Sequence, residues 1–288
     1  MTFLTGLFMA IADSVPGVSG GTIAYIMKRY EDLFKHVNSI LSLDFNKEAI
    51  TFLIKLGLGW IIGFVSSIFV ITSIFESHIY QISSLFLGFI IISIIIVSKQ
   101  EKEHLNFKQL NNTLLTVVGF IVVVVLVFFQ NNGAISLSAD SLNFGSYIYL
   151  FIVGSIAISA MLLPGISGSA VLMIFGAYFL IIESIHSFLT LDFSVLPILV
   201  VFGLGILFGA VGAVKTISHL FETKRTQMLH IIIGLLLGSI IAIINGPTAI
   251  EGQNLAILSF DTFSIIFFLV GIGLIALLEF GISNEHKE

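Results

Sequence analysis

The chain has 288 residues, of which 57% are hydrophobic and only 10% charged, with a mean hydropathy of +1.11 and a net charge of −5. Soluble domains carry about 25% charged residues, so this composition excludes an ordinary water-soluble enzyme, a secreted domain and a disordered chain, and it is that of an integral membrane protein. The apolar residues come in continuous runs, which speaks against a β-barrel. The lack of cysteine removes disulfides, thiolate metal sites and cysteine nucleophiles together.

In chain order, the first apolar region is 2–34, interrupted at Pro16-Gly17-Val18-Ser19-Gly20-Gly21. Its first arm, Thr2 to Asp13, is shorter than the roughly 20 residues needed to cross a bilayer. Runs at 56–75, 79–98 and 113–129 each read as a transmembrane helix. A second interrupted region, 146–182, is broken at Pro164-Gly165-Ile166-Ser167-Gly168-Ser169, and runs at 195–214, 228–245 and 262–280 follow. The two motifs stand 148 residues apart, and the same offset relates Tyr30 to Tyr178 and Leu43-Asp44-Phe45 to Leu191-Asp192-Phe193. After a slip of two residues, Gly59 and Gly63 match Gly205 and Gly209, and Gly88 and Ser93 match Gly234 and Ser239. The chain therefore reads as a duplication, with repeats at 1–140 and 141–288.

Charge sets the expected orientation. All 12 basic residues fall in the first connection (Lys28, Arg29, Lys35, Lys47 and Lys55), in those after 79–98 and after 195–214, or at the C-terminus. By the positive-inside rule these are cytoplasmic, as are both termini. If each interrupted pair returns to its own side, each repeat crosses three times and the two have opposite orientation. The expected fold is an all-α polytopic membrane protein of two inverted repeats, each a broken, re-entrant helical hairpin plus three transmembrane helices. Broken helices at corresponding positions are the pointer to a secondary transporter with a site near the bilayer midplane. For 146–182, whose first arm is long enough to cross, two full spans with a proline kink is the other reading.

Chemistry concentrates at the breaks. Pro16 and Pro164 lack an amide hydrogen, and Gly17 and Gly165 permit backbone angles closed to other residues, so the chain turns there. Ser19 and Ser167 are N-cap residues for the helices that follow. Their free amides, with Gly20, Gly21 and Gly168 allowing close approach and Thr22 and Ser169 adding hydroxyls, suit an anion. Lys28 and Arg29 would receive it at the cytoplasmic mouth. Tight helix packing by the same small residues is the structural alternative. Asp13 lies in an apolar arm, where a carboxylate is costly, and its counterpart in the second repeat is Met161. Proton coupling and capping of the broken ends both stand open for it. Glu183 and Glu279 read as interfacial, Glu31 and Asp32 as a solvated cluster, and Trp60 as a lipid-facing or packing residue. The seven histidines show no metal-ligand spacing, so no metal or cofactor is expected, nor a nucleic-acid partner.

The run Ala12-Asp13-Ser14-Val15-Pro16-Gly17-Val18-Ser19-Gly20-Gly21-Thr22, followed by Tyr30-Glu31, resembles the signature of bacterial polyprenyl-phosphate transporters, and Leu163-Pro164-Gly165-Ile166-Ser167-Gly168-Ser169 is also typical of them. The resemblance implies return of undecaprenyl phosphate from the outer to the inner leaflet of the cytoplasmic membrane, with the paired breaks holding the headgroup. The motif is also similar to the Pro-Gly-x-Ser-Arg-Ser of undecaprenyl-diphosphate phosphatases. Here, however, Gly20 and Gly168 occupy the arginine position and no Glu-x-x-x-Glu pair occurs, so hydrolysis lacks its charge clamp and acid–base groups. A transporter of another small anion is the remaining alternative.

Overall fold

The computed structural model describes residues 1–13, 19–70, 78–131, 143–249 and 255–285. The chain is 82% helical, and no strand occurs among the described residues. The first half contributes α1 (Thr2–Asp13), α2 (Gly20–Ile26), α3 (Tyr30–Leu41), α4 (Lys47–Val70), α5 (Ile79–Gln100) and α6 (Leu110–Asn131). The second contributes α7 (Phe144–Met161), α8 (Gly168–Ile174), α9 (Tyr178–Leu189), α10 (Leu196–Thr223), α11 (Arg225–Asn245) and α12 (Ile265–Glu285).

The six described helices long and apolar enough to cross a membrane are α4, α5, α6, α7, α10 and α11. This differs from the expected six: α7, with 18 residues, is among them, while the apolar part of α12 is Ile265–Leu277. Several helices also outrun their apolar windows at basic ends. α4 begins at Lys47 and α10 continues to Thr223, because backbone hydrogen bonding does not stop at the hydrocarbon boundary and lysine stems reach back to water.

Local chemistry explains the helix starts. Asn143 and Ser146 form a capping box at α7, with the Ser146 amide donating to Asn143 Oδ1 at 3.0 Å and the Asn143 amide to Ser146 Oγ at 3.3 Å. Before α10, Asp192 caps a 3-10 turn by accepting from the Ser194 amide at 3.0 Å. The Ser194 hydroxyl and amide hold the Asp192 carboxyl below its ordinary range.

The duplication is visible in the backbone itself. Left-handed residues occur at Lys28 (φ 53°) and Gly176 (φ 65°), and at Leu43 (φ 62°) and Leu191 (φ 68°), each pair 148 residues apart. Identical helix-ending bonds accompany them: Arg29 N–H to Ala24 O and Ala177 N–H to Leu172 O, both 2.9 Å; Asp44 N–H to Ser39 O at 3.0 Å and Asp192 N–H to Ser187 O at 2.9 Å. These are the closures by which a helix stops at a left-handed residue.

In each half the first helix packs parallel to the first long one. A Cβ on Gly59 or Gly63 of α4 would collide with the carbonyls of Phe3 or Leu7 of α1, and one on Gly205 or Gly209 of α10 with those of Phe151 or Ser155 of α7. Small residues admit this backbone-to-backbone approach. α2 and α8 double back: Thr2 and Arg29 line one pocket, and Tyr149, in the second turn of α7, donates its hydroxyl to Phe175 O beyond the end of α8 at 2.8 Å. The remaining long helices exchange partners between halves, α5 with α12 and α6 with α11. Arg225, at the start of α11, bonds Glu101 at the end of α5 (2.6 Å) and Glu31 of α3 (3.0 Å), which gathers three basic connections on one side. α11 is the most enclosed long helix, with 67% of its apolar window buried against 22% for α6, so it is the central post.

Gly57 lies two residues before Gly59, on the opposite face of α4, and a Cβ there meets nothing within 4 Å. Gly59→Ala is expected to lower the melting temperature of the detergent-solubilised protein by overpacking α1 on α4, a cost of about 1–3 kcal/mol. Gly57→Ala should raise it slightly, by about 0.5–1 kcal/mol of helix propensity. Thermal unfolding of the two variants side by side checks the opposite signs.

Candidate functional site

The two breaks meet in the interior and are bonded to each other. Pro16 and Gly17 lie outside the described residues; the description resumes at Ser19. There the Ser19 side chain caps α2 by accepting from the Gly21 amide at 3.2 Å, and its hydroxyl also faces Met161 O at 3.4 Å across the molecule. Thr22 Oγ1 accepts from the Gly165 amide at 2.8 Å. Tyr30, 2% exposed, donates its hydroxyl to Leu162 O at 2.7 Å. From the other side, Ser239 of α11 donates to Gly165 O at 3.3 Å and Leu235 O at 2.9 Å. The carbonyls and amides freed by the Pro164-Gly165 turn thus find partners in protein, as non-helical backbone at membrane depth must. Gly165 adopts φ 89°, a conformation for which glycine is suited.

The two helix starts are not equivalent. At α2 the Gly20 amide donates to Asp13 Oδ1 at 2.6 Å, and Trp60 Nε1 donates to Asp13 Oδ2 at 3.4 Å. The protein's own carboxylate therefore occupies the start of α2, which is the capping geometry considered for Asp13. Trp60, expected to face lipid or merely pack, instead stacks on Phe64 at 5.1 Å and turns its indole N–H inward. At α8 the Met161 side chain stands beside Gly168, and Ser167 makes no side-chain capping bond to its helix. Ser19 and Thr22 are buried, whereas Ser167 and Gly168 are partly exposed. The side chain of Ser169 lies outside the described residues.

The expected cytoplasmic cations diverge. Lys28 lines a cavity of about 340 Å³ with Tyr25, Tyr30, Ser93, Glu101 and Arg225. Arg29 pairs with Asp32 at 3.0 Å and lines a separate pocket with His36, Lys47 and Lys55. Glu31 and Asp32, expected to be a solvated cluster, are thus ion-paired to Arg225 and Arg29. Glu183 is exposed. No group of three metal-ligating side chains occurs among the described residues.

A third feature was not legible in sequence. An apolar groove of about 780 Å³ opens between α7, α10 and α11. It extends along the paired α7 and α10 from Phe151 and Phe208 past Ser159 and Gly212 to Leu220 and Met228, with Leu163 and Ile166, on either side of the Pro164-Gly165 turn, in its wall. Tyr30, Trp60 and Ser239 likewise belong to the site. The repeat pairing of Tyr30 with Tyr178 and of Ser93 with Ser239 was the available signal, but it could not tell which member of a pair reaches the break.

The chain matches the VCA0040-like, undecaprenyl phosphate translocase-like family over residues 9–257. It is 30% identical over 251 residues to the polyprenyl-phosphate transporter of Staphylococcus aureus (strain NCTC 8325 / PS 47), covering 87% of this chain and 88% of that one. It is also 30% identical over 256 residues to the polyprenyl-phosphate transporter of Vibrio cholerae serotype O1 (strain ATCC 39315 / El Tor Inaba N16961), covering 83% of this chain and 75% of that one. No solved structure matches it. The chain belongs to the undecaprenyl phosphate translocase-like family and is a multi-pass membrane protein.

The bond between the breaks is open to test. Thr22→Val removes the acceptor while keeping the shape, leaving the buried Gly165 amide unpaired at a cost of about 1–3 kcal/mol. The variant is expected to melt lower than wild type in detergent, and Thr22→Ser to recover most of the loss.

Proposed function

We propose that the protein translocates a polyprenyl phosphate, undecaprenyl phosphate in the first instance, from the outer to the inner leaflet of the bacterial cytoplasmic membrane, returning the carrier for cell-envelope synthesis. The observation that carries this reading is the groove: it is open, almost wholly apolar, and has Leu163 and Ile166, beside the second break, in its wall. A lipid tail needs such a lateral path and a small anion does not. The naming of both relatives as polyprenyl-phosphate transporters supports the same cargo.

The phosphate is assigned to the breaks, to Ser167, Gly168 and Ser169 on one side, of which Ser167 and Gly168 are partly exposed. Ser19, Gly20, Gly21 and Thr22 form the half that positions it, and Lys28 and Arg29 stand toward the cytoplasm. Repeats of opposite orientation, 1–140 and 141–288, follow from three crossings per half. The parallel packing of α1 on α4 and of α7 on α10 supports this, as does the gathering of basic connections by Arg225. The same gathering supports cytoplasmic termini. Transport without hydrolysis is in keeping with glycine at both positions where a phosphatase motif has arginine.

Inward movement of an anion against an inside-negative potential costs about 2.3 kcal/mol per charge per 100 mV. Asp13 is the acidic side chain at the break, and we assign it the compensating proton. Asp13→Asn keeps an acceptor for the Gly20 amide but cannot be protonated or ionised. It is expected to slow translocation and flatten its pH dependence in proteoliposomes, and an unchanged rate–pH profile would remove Asp13 from the mechanism.

The cargo is tested by following loss of outer-leaflet undecaprenyl phosphate in proteoliposomes. A Cβ at Gly212 meets nothing within 4 Å and points into open space beside the groove, so Gly212→Trp should plug it without disturbing the packing of α10. Translocation is expected to fall at least about tenfold, in keeping with about 1.4 kcal/mol of lost binding, with melting temperature unchanged. The Ser19→Ala/Ser167→Ala double variant should also lose it. Folded wild type that moves no lipid would sink the proposal in favour of a small anion.

A further inference from the structure

The pocket that holds Arg29 is distinct from both the groove and the breaks. It encloses about 480 Å³ between the start of α1, α3 and the first two turns of α4. Of its two carboxylates, Asp32 is bonded to Arg29 at 3.0 Å, while Glu48 is 77% exposed and lies 4.0 Å from Nε2 of His36. His36 is itself buried, with its ring against Phe52 at 4.6 Å. Lys47 and Lys55 remain, and among the described residues neither has an ion-pair partner. With Thr51 they lie on one stripe of α4 at intervals of four residues, so two ammonium groups and a hydroxyl border one cavity, in whose lining Arg29, Lys47 and Lys55 exceed Asp32 and Glu48 by one charge.

The same stripe continues into the membrane as Leu58 and Ile62, 52% and 48% exposed. Cations at the interface followed directly by an exposed apolar strip form the complement of an amphiphile with an anionic head. The paired ammonium groups of Lys47 and Lys55 suit a phosphate monoester, which carries about −1.5 to −2 at pH 7 and three acceptor oxygens, better than a phosphate diester with its single charge.

We propose that this pocket is a second headgroup site, in which Lys47 and Lys55 hold the phosphate of a lipid phosphomonoester whose chain lies along Leu58 and Ile62. It rests on the lipid-phosphate reading above, as a station the cargo occupies on the basic side of the membrane, apart from the breaks.

The test uses purified full-length protein in neutral detergent and a farnesyl phosphate carrying a photoreactive group in its first isoprene unit, with labelled peptides mapped by mass spectrometry. Labelling is expected within residues 51–62 and to be competed by unlabelled farnesyl phosphate, while inorganic phosphate and phosphatidylglycerol compete poorly. Lys47→Gln/Lys55→Gln should weaken it about thirtyfold, near fivefold for each lysine, without lowering the melting temperature. Gly212→Trp should leave it intact. Labelling confined to α7 and α10, or unchanged in the double lysine variant, would overturn the site. Equal competition by phosphatidylglycerol would overturn the choice of a monoester, and equal competition by inorganic phosphate the role of the chain. A wild type that labels here yet fails to move undecaprenyl phosphate would strike down the transport reading and leave the site standing.

Discussion

The structure depends on one constraint: a backbone broken inside a membrane has no water to complete its hydrogen bonds, so protein must supply every partner. Each break meets this demand with groups from elsewhere in the fold. Thr22 takes the amide of Gly165, Tyr30 gives its hydroxyl to Leu162 O, Ser239 gives its own to Gly165 O, and Asp13 takes the amide of Gly20. Three of these four bonds reach a residue distant in sequence. The breaks are therefore not two independent defects but one interlocked centre, and α11, which carries Ser239, is the most enclosed long helix for that reason.

This interlock governs what can move. The halves hold each other through the breaks, through the exchange of α5 and α6 with α12 and α11, and through Arg225 on the basic side. A headgroup competing for the amides and hydroxyls at the centre would weaken the bonds that join the halves. On the proposed assignment of the headgroup to the breaks, cargo recognition and the relative freedom of the two halves would be coupled by the same few polar groups. The asymmetry between Asp13 and Met161 matters here, because a carboxyl group of the chain sits at the start of α2 and a thioether beside the start of α8. Ser167 and Gly168, at the start of α8, are partly exposed.

Much of this was legible from residues alone. Hydropathy located the long helices, although α4 and α10 run further than their apolar windows because charged ends still form helix. The 148-residue offset read in sequence also separates the left-handed positions Leu43 and Leu191. The packing of Trp60 and the charged cluster of Glu31 and Asp32 were legible, whereas the bonds of Trp60 to Asp13 and of Glu31 to Arg225 were not, since a partner from a distant segment leaves no local trace. Lys28 and Arg29, adjacent in sequence, were assigned one mouth and line two cavities.

The sequence by itself determined the solvent the protein lives in, the positions of its helices and breaks, and its internal repeat, because these follow from composition, periodicity and the conformational limits of proline and glycine. Only the tertiary structure decided that the breaks bond each other, that Asp13 caps α2, that the last long helix of each half packs in the other, and that an apolar groove opens beside the second break. Those are pairings between segments far apart along the chain. Many partners of equal local chemistry were available to each hydroxyl and glycine, and shape complementarity between whole helices selected among them.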